Sequence, residues 1–213
     1  MLIAAYNEQE HIGRCLRSLL NQSLSHEKFE IVIVNDGSTD LTSYALKQFS
    51  GNEDSNIKVL TNDTNVGLPV SLNRGLNLVC GEYLVRVDSD DYVSEQFLLI
   101  LSQFLDGNPD SYAVACDYWT VSDEEVFLKR KNCMIDPIAC GIMFQTELIR
   151  ELGGYDERFS MNEEKELRLR FEKKYSIAHL PIPLYRYRKH KNNMTNNKEL
   201  LAVYDELLEQ GSK

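Results

Sequence analysis

The most constraining feature of the sequence is a regular alternation of apolar runs and amphipathic segments over roughly its first half. The runs are rich in Val and Ile and have the length of strands, and the segments between them carry apolar residues at helical spacing. Strands that alternate with helices indicate right-handed βαβ crossovers and a mostly parallel sheet. The predicted strands are MLIAAY, FEIVIVND, IKVLTN and EYLVRVD, and the predicted helices include EQEHIGRCLRSLLNQ, SYALKQFS and LPVSLNRGLNLV.

Polar motifs follow three of these strands: YNE, NDGSTD and DSDD. In open parallel sheets, ligands bind outside the carboxyl ends of the strands. In the last motif only Ser89 separates Asp88 from Asp90 and Asp91, so their carboxylates need a cation, an arginine or abundant water. The alternative is a solvated turn in which Asp91 or Ser94 caps the helix SEQFLLILSQFL.

The alternation of strands and helices becomes irregular after residue 110. A predicted strand, YAVACDYW, is followed there by a charged stretch, SDEEVFLKRKN, that is expected to be exposed. TELIRELGGYDERF reads as a helix ended by its two glycines. EEKELRLRFEKKY is amphipathic, with Leu167, Phe171 and Leu169 expected inward. IAHLPIPLYRYRKHK, with two prolines, is expected to be an edge strand, and KELLAVYDELLEQ a closing helix. We find no repeat or linker and predict one domain over residues 1–213.

Composition narrows the class of protein. The chain is 43% hydrophobic and 26% charged, which is typical of a globular protein, and its net charge of −10 argues against a nucleic-acid partner. It contains no apolar run of the roughly 18–20 residues that span a bilayer and opens with no secretory signal pattern. Its five cysteines lack CxxC spacing, which favours free thiols in a reducing compartment, the cytoplasm, over disulfides or a zinc site.

Seven segments, taken together and in order, resemble the family 2 glycosyltransferases. They are AAYNEQEHIGRCLRSLLNQS, EIVIVNDGSTDLT, NVGLPVSLNRGL, GEYLVRVDSDDY, ELGGYDERF, EEKELRLR and YRYRKHKNNMT, and they run from Ala4 to Thr195. The resemblance implies an α/β, GT-A-type, Rossmann-like domain with a mostly parallel central sheet flanked by helices. It also implies a nucleotide-diphosphate-sugar donor and inversion at the anomeric carbon, with residues 1–110 as the nucleotide-binding half and 111–213 as the acceptor and catalytic half.

The resemblance makes Asp90 a ligand of Mn²⁺ or Mg²⁺ and places Asp88 near the ribose or the metal's waters. His190 would be a third metal ligand or a phosphate donor. These roles are chemically reasonable, because hard oxygen ligands suit both ions and a divalent cation neutralises the departing diphosphate. The alternative for the basic segment around His190 is a solvated face.

The resemblance also assigns the nucleotide pocket. Asp36 would contact the base, usually uracil, with Ala5, Tyr6 and Glu8 forming the other wall. The remaining predicted nucleotide contacts are Asn73, Arg74, Asp88 and Ser89. For Asp36 the alternative is a helix-capping turn without a ligand, and for Arg74 an ordinary surface position. Gly75, within a predicted helix, indicates close packing or ligand approach.

Glu163 and Glu164 stand where relatives carry Glu-Asp, and the resemblance assigns the catalytic base to Glu164. Glutamate is one methylene longer than aspartate, which moves the carboxylate by roughly one C–C bond, about 1.5 Å. The alternative is an acidic helix N-terminus favoured by the macrodipole. On the acceptor or phosphate side, the predicted residues are Gly154, Asp156 and Arg188.

Three other functional classes are compared with a glycosyltransferase: a binding protein, a phosphatase and a dehydrogenase. A binding protein of the same fold that has lost transfer is the main alternative, since the Glu163–Glu164 pair departs from the family pattern. An aspartyl phosphatase is disfavoured because D-x-D follows the fourth strand, and a dehydrogenase because no G-x-G-x-x-G follows the first.

Several residues and partners are assigned more loosely. His11, His26 and His179 match no motif and are interpreted as structural or surface residues, and Trp119 is interpreted as packing in preference to stacking on a sugar. The acceptor is expected to be a sugar, a lipid-linked molecule or a protein. Basic residues 186–191 could bring the protein to the inner face of a membrane.

Overall fold

The computed structural model describes residues 1–51, 56–191 and 193–211. The strands are β1 (Leu2–Ala5), β2 (Ile31–Asn35), β3 (Ile57–Thr61), β4 (Tyr83–Val85), β5 (Tyr92–Val93), β6 (Ala113–Ser122), β7 (Phe127–Lys131), β8 (Ile142–Gln145) and β9 (Ile177–Lys189). The helices are α1 (Ile12–Leu20), α2 (Thr42–Ser50), α3 (Leu68–Leu76), α4 (Phe97–Gly107), α5 (Thr146–Glu151), α6 (Glu163–Glu172) and α7 (Lys198–Gly211).

The strands form two sheets that meet in the middle of the molecule. β1, β2 and β3 pair in parallel, as the βαβ pattern predicts. The second sheet has the order β4-β8-β6-β9-β5, with β7 on β6, and only its β6–β9 pairing is parallel. A parallel bridge between Leu2 and Arg86 joins the sheets, and the Val87 N–H donates to the Leu2 carbonyl at 3.1 Å. The α/β class is therefore confirmed, with a mixed second half.

Two details of the second half differ from the predictions. β9 is not an edge strand, because Tyr185 and Arg186 pair with the two-residue strand β5. Leu169 is 41% exposed, so its predicted inward orientation is wrong, whereas Leu167 and Phe171 are fully buried. Residues two apart on a helix do not share a face, whereas residues four apart do.

The helix glycine at position 75 is explained by packing. Gly75 of α3 is buried, and a Cβ there would lie 2.3 Å from Leu2 Cδ1 and 3.0 Å from Val34 Cγ2. α3 therefore lies directly on β1 and β2. Of the two explanations that the sequence left open, close packing is the one observed.

Replacing Gly75 by alanine should destabilise the fold by about 1–3 kcal/mol, because the added methyl group overpacks a filled core. The melting temperature should fall by roughly 2–4 °C per kcal/mol in a chain of this size. Gly107→Ala is the matched control, since a Cβ at this α4 position has no neighbour within 4 Å. An unchanged melting temperature for Gly75→Ala would contradict the packing explanation.

Two further properties concern the helices and the cysteines. In the part of the chain that the structure describes, no helix combines the length and apolar character required to cross a membrane. All five cysteines are free; Cys80 is exposed and the other four are buried.

Candidate active site

The DSDD loop follows β4 and its continuation through Arg86 and Val87, which joins the two sheets at Leu2. Asp88, Asp90 and Asp91 each offer a carboxylate oxygen within 4.8 Å of those of the other two. Such a concentration of hard, negatively charged oxygen donors fits a divalent cation of the Mg²⁺ or Mn²⁺ type. Asp91 does not cap α4, because β5 lies between them. Ser94, the other capping residue left open above, does lie at the start of the helix, where its Oγ accepts the Gln96 N–H at 3.5 Å and its carbonyl accepts the Phe97 N–H at 3.0 Å.

Asp91 supports the loop from within the protein. Its carboxylate accepts hydrogen bonds from the Tyr185 hydroxyl and the Arg188 backbone N–H, both at 2.7 Å. The Tyr185 hydroxyl also accepts the Asp88 N–H at 3.1 Å. Burial, with repulsion from Asp90 and Asp88, raises the pKa of Asp91 well above its usual range. Asp91 therefore shapes the loop, which leaves Asp88 and Asp90 as the more accessible pair.

Arg188 also lies beneath this loop. Its guanidinium is buried and donates to the Asp90 carbonyl at 2.8 Å and to the Asp123 carbonyl at 2.6 Å. It also approaches Glu125 at 3.3 Å. These contacts tie the DSDD loop to the β6–β7 turn. The guanidinium of Arg188, a residue predicted to lie on the acceptor or phosphate side, is thus engaged in hydrogen bonds within the protein.

Asp90 and His190 are in contact, as their predicted shared site requires. The His190 Nε2 lies 2.8 Å from Asp90 Oδ2, which also accepts from Asn193 Nδ2 at 3.3 Å. The hydrogen bond to Asp90 raises the pKa of His190 above its ordinary value. A second imidazole, His11, stacks at a tilt with a ring-centroid distance of 4.8 Å from His190.

His11, which the sequence analysis interpreted as a structural or surface residue, lies beside the pair of Asp90 and His190. Its ring bridges Glu8 Oε2 at 3.1 Å and Asp123 Oδ1 at 2.9 Å. Burial and the nearby Asp90 raise the pKa of Glu8 to about 7, against the opposing effect of His11. Acids at the end of β1, in the DSDD loop and in the β6–β7 turn thus enclose two histidines. His11 directly precedes α1 and follows Tyr6 by five residues, so its closeness to the YNE motif is the local signal that could have indicated its position.

Asp36, the predicted base contact, is 3% exposed and bound by the protein. Its Oδ1 accepts from Asn62 Nδ2 at 2.8 Å and from the Val66 N–H at 2.9 Å, and its Oδ2 accepts from the Gly67 N–H at 2.9 Å. This carboxylate therefore organises the loop that leads into α3. Arg74 is linked to Asp36 through Asn62, since the Arg74 Nη1 donates to Asn62 Oδ1 at 2.6 Å.

Asp36→Asn should destabilise the chain by about 1–3 kcal/mol, because a buried amide cannot accept all three of these hydrogen bonds. Thermal melting measures the loss, with Asp63→Asn as an exposed acid-to-amide control close to the same loop. If the variant melted like the parent chain but no longer bound UDP, Asp36 would act on the nucleotide directly instead of through the loop.

The other predicted pocket residues differ in how they are presented. Ala5 and Ser89 are buried, whereas Tyr6 is 46% exposed and its ring is accessible. The Asp36 N–H donates to the Ala5 carbonyl at 2.8 Å, so the ends of β1 and β2 are held side by side. Arg74 is exposed on α3, one residue after Asn73. Of the predicted nucleotide residues, Ala5 and Asp36 thus lie at the carboxyl ends of neighbouring parallel strands, and Arg74 reaches Asn62, which follows the third.

Asn73 and Gly154 are in contact with each other. The Asn73 amide donates to the Tyr155 carbonyl at 2.8 Å and accepts the Tyr155 N–H at 2.8 Å. Gly154 has φ +71°, and a Cβ there would meet Asn73 Oδ1 at 2.5 Å. Asp156, in the same loop, pairs with Arg158 at 2.6 Å. The GGYDE loop is therefore fastened to α3, and Asn73 is engaged with that loop.

The two acids at the start of α6 differ sharply in their surroundings. Glu163 Oε1 accepts from Arg86 Nη1 at 2.6 Å, and both residues are buried. Glu164 is 6% exposed, and neither of its carboxylate oxygens has a hydrogen-bond partner among the described residues. Burial, which outweighs the attraction of Arg86, raises the pKa of Glu164 well above its usual range. An unpartnered buried carboxylate is costly to the fold and typical of a reactive group.

A second cluster surrounds the Asp117 carboxylate. His179 Nε2 lies 2.8 Å from Asp117 Oδ1, the Cys133 N–H donates to the same oxygen at 3.2 Å, and Arg130 pairs with Oδ2 at 3.1 Å. The Asp117 carboxylate is therefore satisfied by the protein. His179, interpreted from the sequence as a structural or surface residue, is bound to this carboxylate. Trp119, interpreted as a packing residue, lies edge-on against Phe127 with a ring-centroid distance of 5.5 Å.

Comparisons with curated proteins identify glycosyltransferases that match about half of the chain. An uncharacterized glycosyltransferase of Haemophilus influenzae is 36% identical over 108 residues, which is 51% of this chain and 32% of that protein. The poly(ribitol-phosphate) beta-N-acetylglucosaminyltransferase TarS of Staphylococcus aureus is 34% identical over 107 residues, or 50% of this chain and 18% of that protein. The matched region thus spans a third or less of these relatives.

Solved structures match over most of the chain. TarS residues 1–349 with UDP-GlcNAc superimpose with a TM-score of 0.80 at 22% identity, covering 92% of this chain and 60% of that one. The mannosyltransferase PcManGT of Pyrobaculum calidifontis, with GDP-Man and Mn²⁺, gives 0.75 at 20% identity, covering 94% and 59%. These similarities confirm the GT-A fold. The family model for glycosyl transferase family 2 matches residues 1–192, and the chain belongs to that family.

Proposed function

We propose that this chain is an inverting glycosyltransferase that moves a sugar from a nucleotide-diphosphate donor, first of all a UDP-sugar, to a hydroxyl acceptor. The observation that carries the proposal is the buried carboxylate of Glu164, which has no hydrogen-bond partner in the part of the chain that the structure describes. Arg86 contacts both Asp88 and Glu163. Because Glu164 follows Glu163 in the chain, its carboxylate belongs to the neighbourhood of the aspartate cluster. A protein that only bound nucleotide sugar would gain nothing from the cost of such a group, so Glu164 favours transfer over the binding-only alternative.

On the donor side, Asp90 and Asp88 are proposed to hold Mn²⁺ or Mg²⁺, with His190 as a third ligand or a phosphate donor. When bound, the cation would supply positive charge for the departing diphosphate. Tyr6, Ala5, Glu8 and Asp36 would form the base pocket, with Arg74 and Ser89 at its margin. The Mn²⁺ that accompanies GDP-Man in PcManGT supports a divalent ion in this fold.

On the acceptor side, Glu164 is proposed to take the proton of the acceptor hydroxyl as its oxygen bonds to the anomeric carbon. The bond from that carbon to the diphosphate breaks on the opposite face, and the nucleoside diphosphate leaves with the electron pair. The proton remains on Glu164. A raised pKa makes the ionised carboxylate a stronger base, which suits this role.

The sugar is proposed to be a hexose or an N-acetylhexosamine, and the product a polysaccharide or glycoconjugate. TarS and the poly(ribitol-phosphate) beta-glucosyltransferase of Bacillus spizizenii, which is 37% identical over 100 residues, are named for such transfers. The latter match covers 46% of this chain and 16% of that protein. We propose that the 213 residues act as one domain in the cytoplasm, with Lys189 and Lys191, the exposed cations of residues 186–191, available for peripheral contact with anionic lipid.

The proposal is tested by calorimetric titration of UDP and GDP, each with and without Mn²⁺, followed by measurement of nucleotide release from UDP-glucose, UDP-N-acetylglucosamine and GDP-mannose. We expect UDP to bind in the presence of Mn²⁺ and at least one donor to be turned over. If neither nucleoside diphosphate bound under either condition, the family membership would describe a fold without this activity.

A further inference from the structure

Arg86 connects the donor-side acids to the helix that carries the proposed base. Its Nε and Nη2 both lie 2.8 Å from Asp88 Oδ1, and its Nη1 donates to Glu163 Oε1 at 2.6 Å. The side chain is 6% exposed, as is that of Glu163. One guanidinium therefore serves two carboxylates that are 75 residues apart in the sequence.

Both ends of this connection are fixed to the backbone. Arg86 extends β4 and forms the bridge to Leu2, at the point where the two sheets meet. Glu163 is the first residue of α6, directly after Asn162, which has a left-handed backbone with φ 60°. The ion pair thus joins the centre of the sheet to the first turn of the helix, where Glu164 follows.

The shape of the guanidinium matters to this arrangement. Its planar fork presents N–H donors in several directions, so one edge can bind Asp88 while the remaining nitrogen binds Glu163. A lysine ammonium at the same place carries the same charge, but it concentrates that charge on one nitrogen. It therefore cannot hold hydrogen-bond donors in two fixed directions, one toward each carboxylate. Arg86 is therefore suited to set a distance between two acids as well as to neutralise them.

We propose that Arg86 is a positioning residue for sugar transfer, which sets the separation between the Asp88 side of the donor site and Glu164 by holding Glu163. The inference rests on the proposed function, since it requires Glu164 to act as the base. Arg86 itself would touch neither donor nor acceptor. Its loss should therefore lower turnover much more than donor affinity.

The test compares Arg86→Lys, Glu163→Gln and the double variant with the parent chain. Each single variant should lower the rate of nucleotide release at saturating donor by about 30- to 100-fold, the scale of a misplacement near 1 Å. The dissociation constant of UDP with Mn²⁺ should change less than threefold. The double variant should be no slower than the slower single one, because both changes break the same connection.

Thermal melting of the same proteins without added cation gives a readout that does not depend on activity, and the losses should again be less than additive. Arg150→Lys is the matched control: this arginine donates to the Val79 carbonyl at 2.5 Å and pairs with Glu147, outside the site. It should retain parental turnover. If Arg86→Lys does not fold, Glu163→Gln alone decides, since it leaves the Arg86–Asp88 pair in place.

The possible failures are distinguishable. If the parent chain releases nucleotide and Arg86→Lys does so at the parental rate, the positioning role is wrong while the proposed function stands. The same holds if the losses of the two single variants multiply in the double variant, because the residues would then act independently. If the parent chain neither binds UDP nor turns over any donor, the proposed function fails and the positioning role with it.

Discussion

Replacing Glu164 by glutamine should lower turnover by about 10²- to 10⁴-fold, the usual contribution of a general base, while UDP binding is preserved. Glutamine has nearly the same shape but cannot accept the acceptor proton. The side chain is buried and has no hydrogen-bond partner among the described residues, so the substitution breaks no contact seen there. The measurements are nucleotide release from the donor that the parent chain uses and calorimetric titration of UDP with Mn²⁺.

Glu172→Gln is the matched control, because Glu172 is at the opposite end of α6 and pairs with Arg168. It should retain parental turnover. Undiminished turnover in Glu164→Gln would remove Glu164 from the role of base and would leave its burial without a functional explanation.

The same variant should be more stable than the parent chain at neutral and alkaline pH. The pKa of Glu164 is raised in the folded state, so the carboxyl group ionises more readily in the unfolded chain. Its ionisation therefore destabilises the fold increasingly as the pH rises above the ordinary glutamate pKa of about 4.3. Thermal melts at pH 5 and pH 8 should show a small advantage for glutamine at the lower pH and a larger one at the higher. An advantage that shrank with rising pH would contradict the assigned direction.

Replacing Asp90 by asparagine should weaken Mn²⁺-dependent UDP binding by at least 100-fold, or about 2.7 kcal/mol. The change removes one of the two more accessible negative charges of the DSDD loop and with it the strongest candidate metal ligand. The asparagine oxygen can still accept from His190, so the local fold should survive. Calorimetry with and without Mn²⁺ separates the loss of metal-dependent binding from any loss of nucleotide binding itself.

Asp106→Asn provides the control, since this exposed acid lies outside the DSDD loop and accepts a hydrogen bond from the Tyr83 hydroxyl at 2.8 Å. It should bind UDP as the parent chain does. An unaltered dependence on Mn²⁺ in Asp90→Asn would mean that the cation, if one is used, is held elsewhere.

The first half of the fold was predictable because its signals are local. Val- and Ile-rich strands followed by amphipathic helices indicate parallel pairing, and β1, β2 and β3 pair in that way. The second half was less so: β5 has only two residues, Tyr92 and Val93, which is too short for any periodicity. Without it, β9 looks like an edge strand.

Motifs could nominate candidate site residues, whereas contacts between residues that are distant in the sequence became visible only in the structure. The motifs indicated Asp90, His190 and Glu164, and the structure brings the first two into contact. Arg86 gave one unused signal, a charge inside the apolar run LVRV, whose partner Glu163 lies 77 residues away. The sequence did not reveal that Asp36 binds a loop of its own protein, because backbone N–H donors carry no side-chain signature.

The position of β4 in the strand order has a consequence for how the chain can be divided. β4 belongs to the first half of the sequence, yet Tyr83, Leu84 and Val85 pair with β8 of the second. A cut near residue 110 would strip β8 of a neighbour and remove the Asn73 amide from the GGYDE loop. A donor-binding fragment and an acceptor-binding fragment exchanged between family members would each carry an open sheet edge. Chimeras that keep β4 paired with β8, and exchange only the loops at the strand ends, preserve the pairing between the two halves of the sequence.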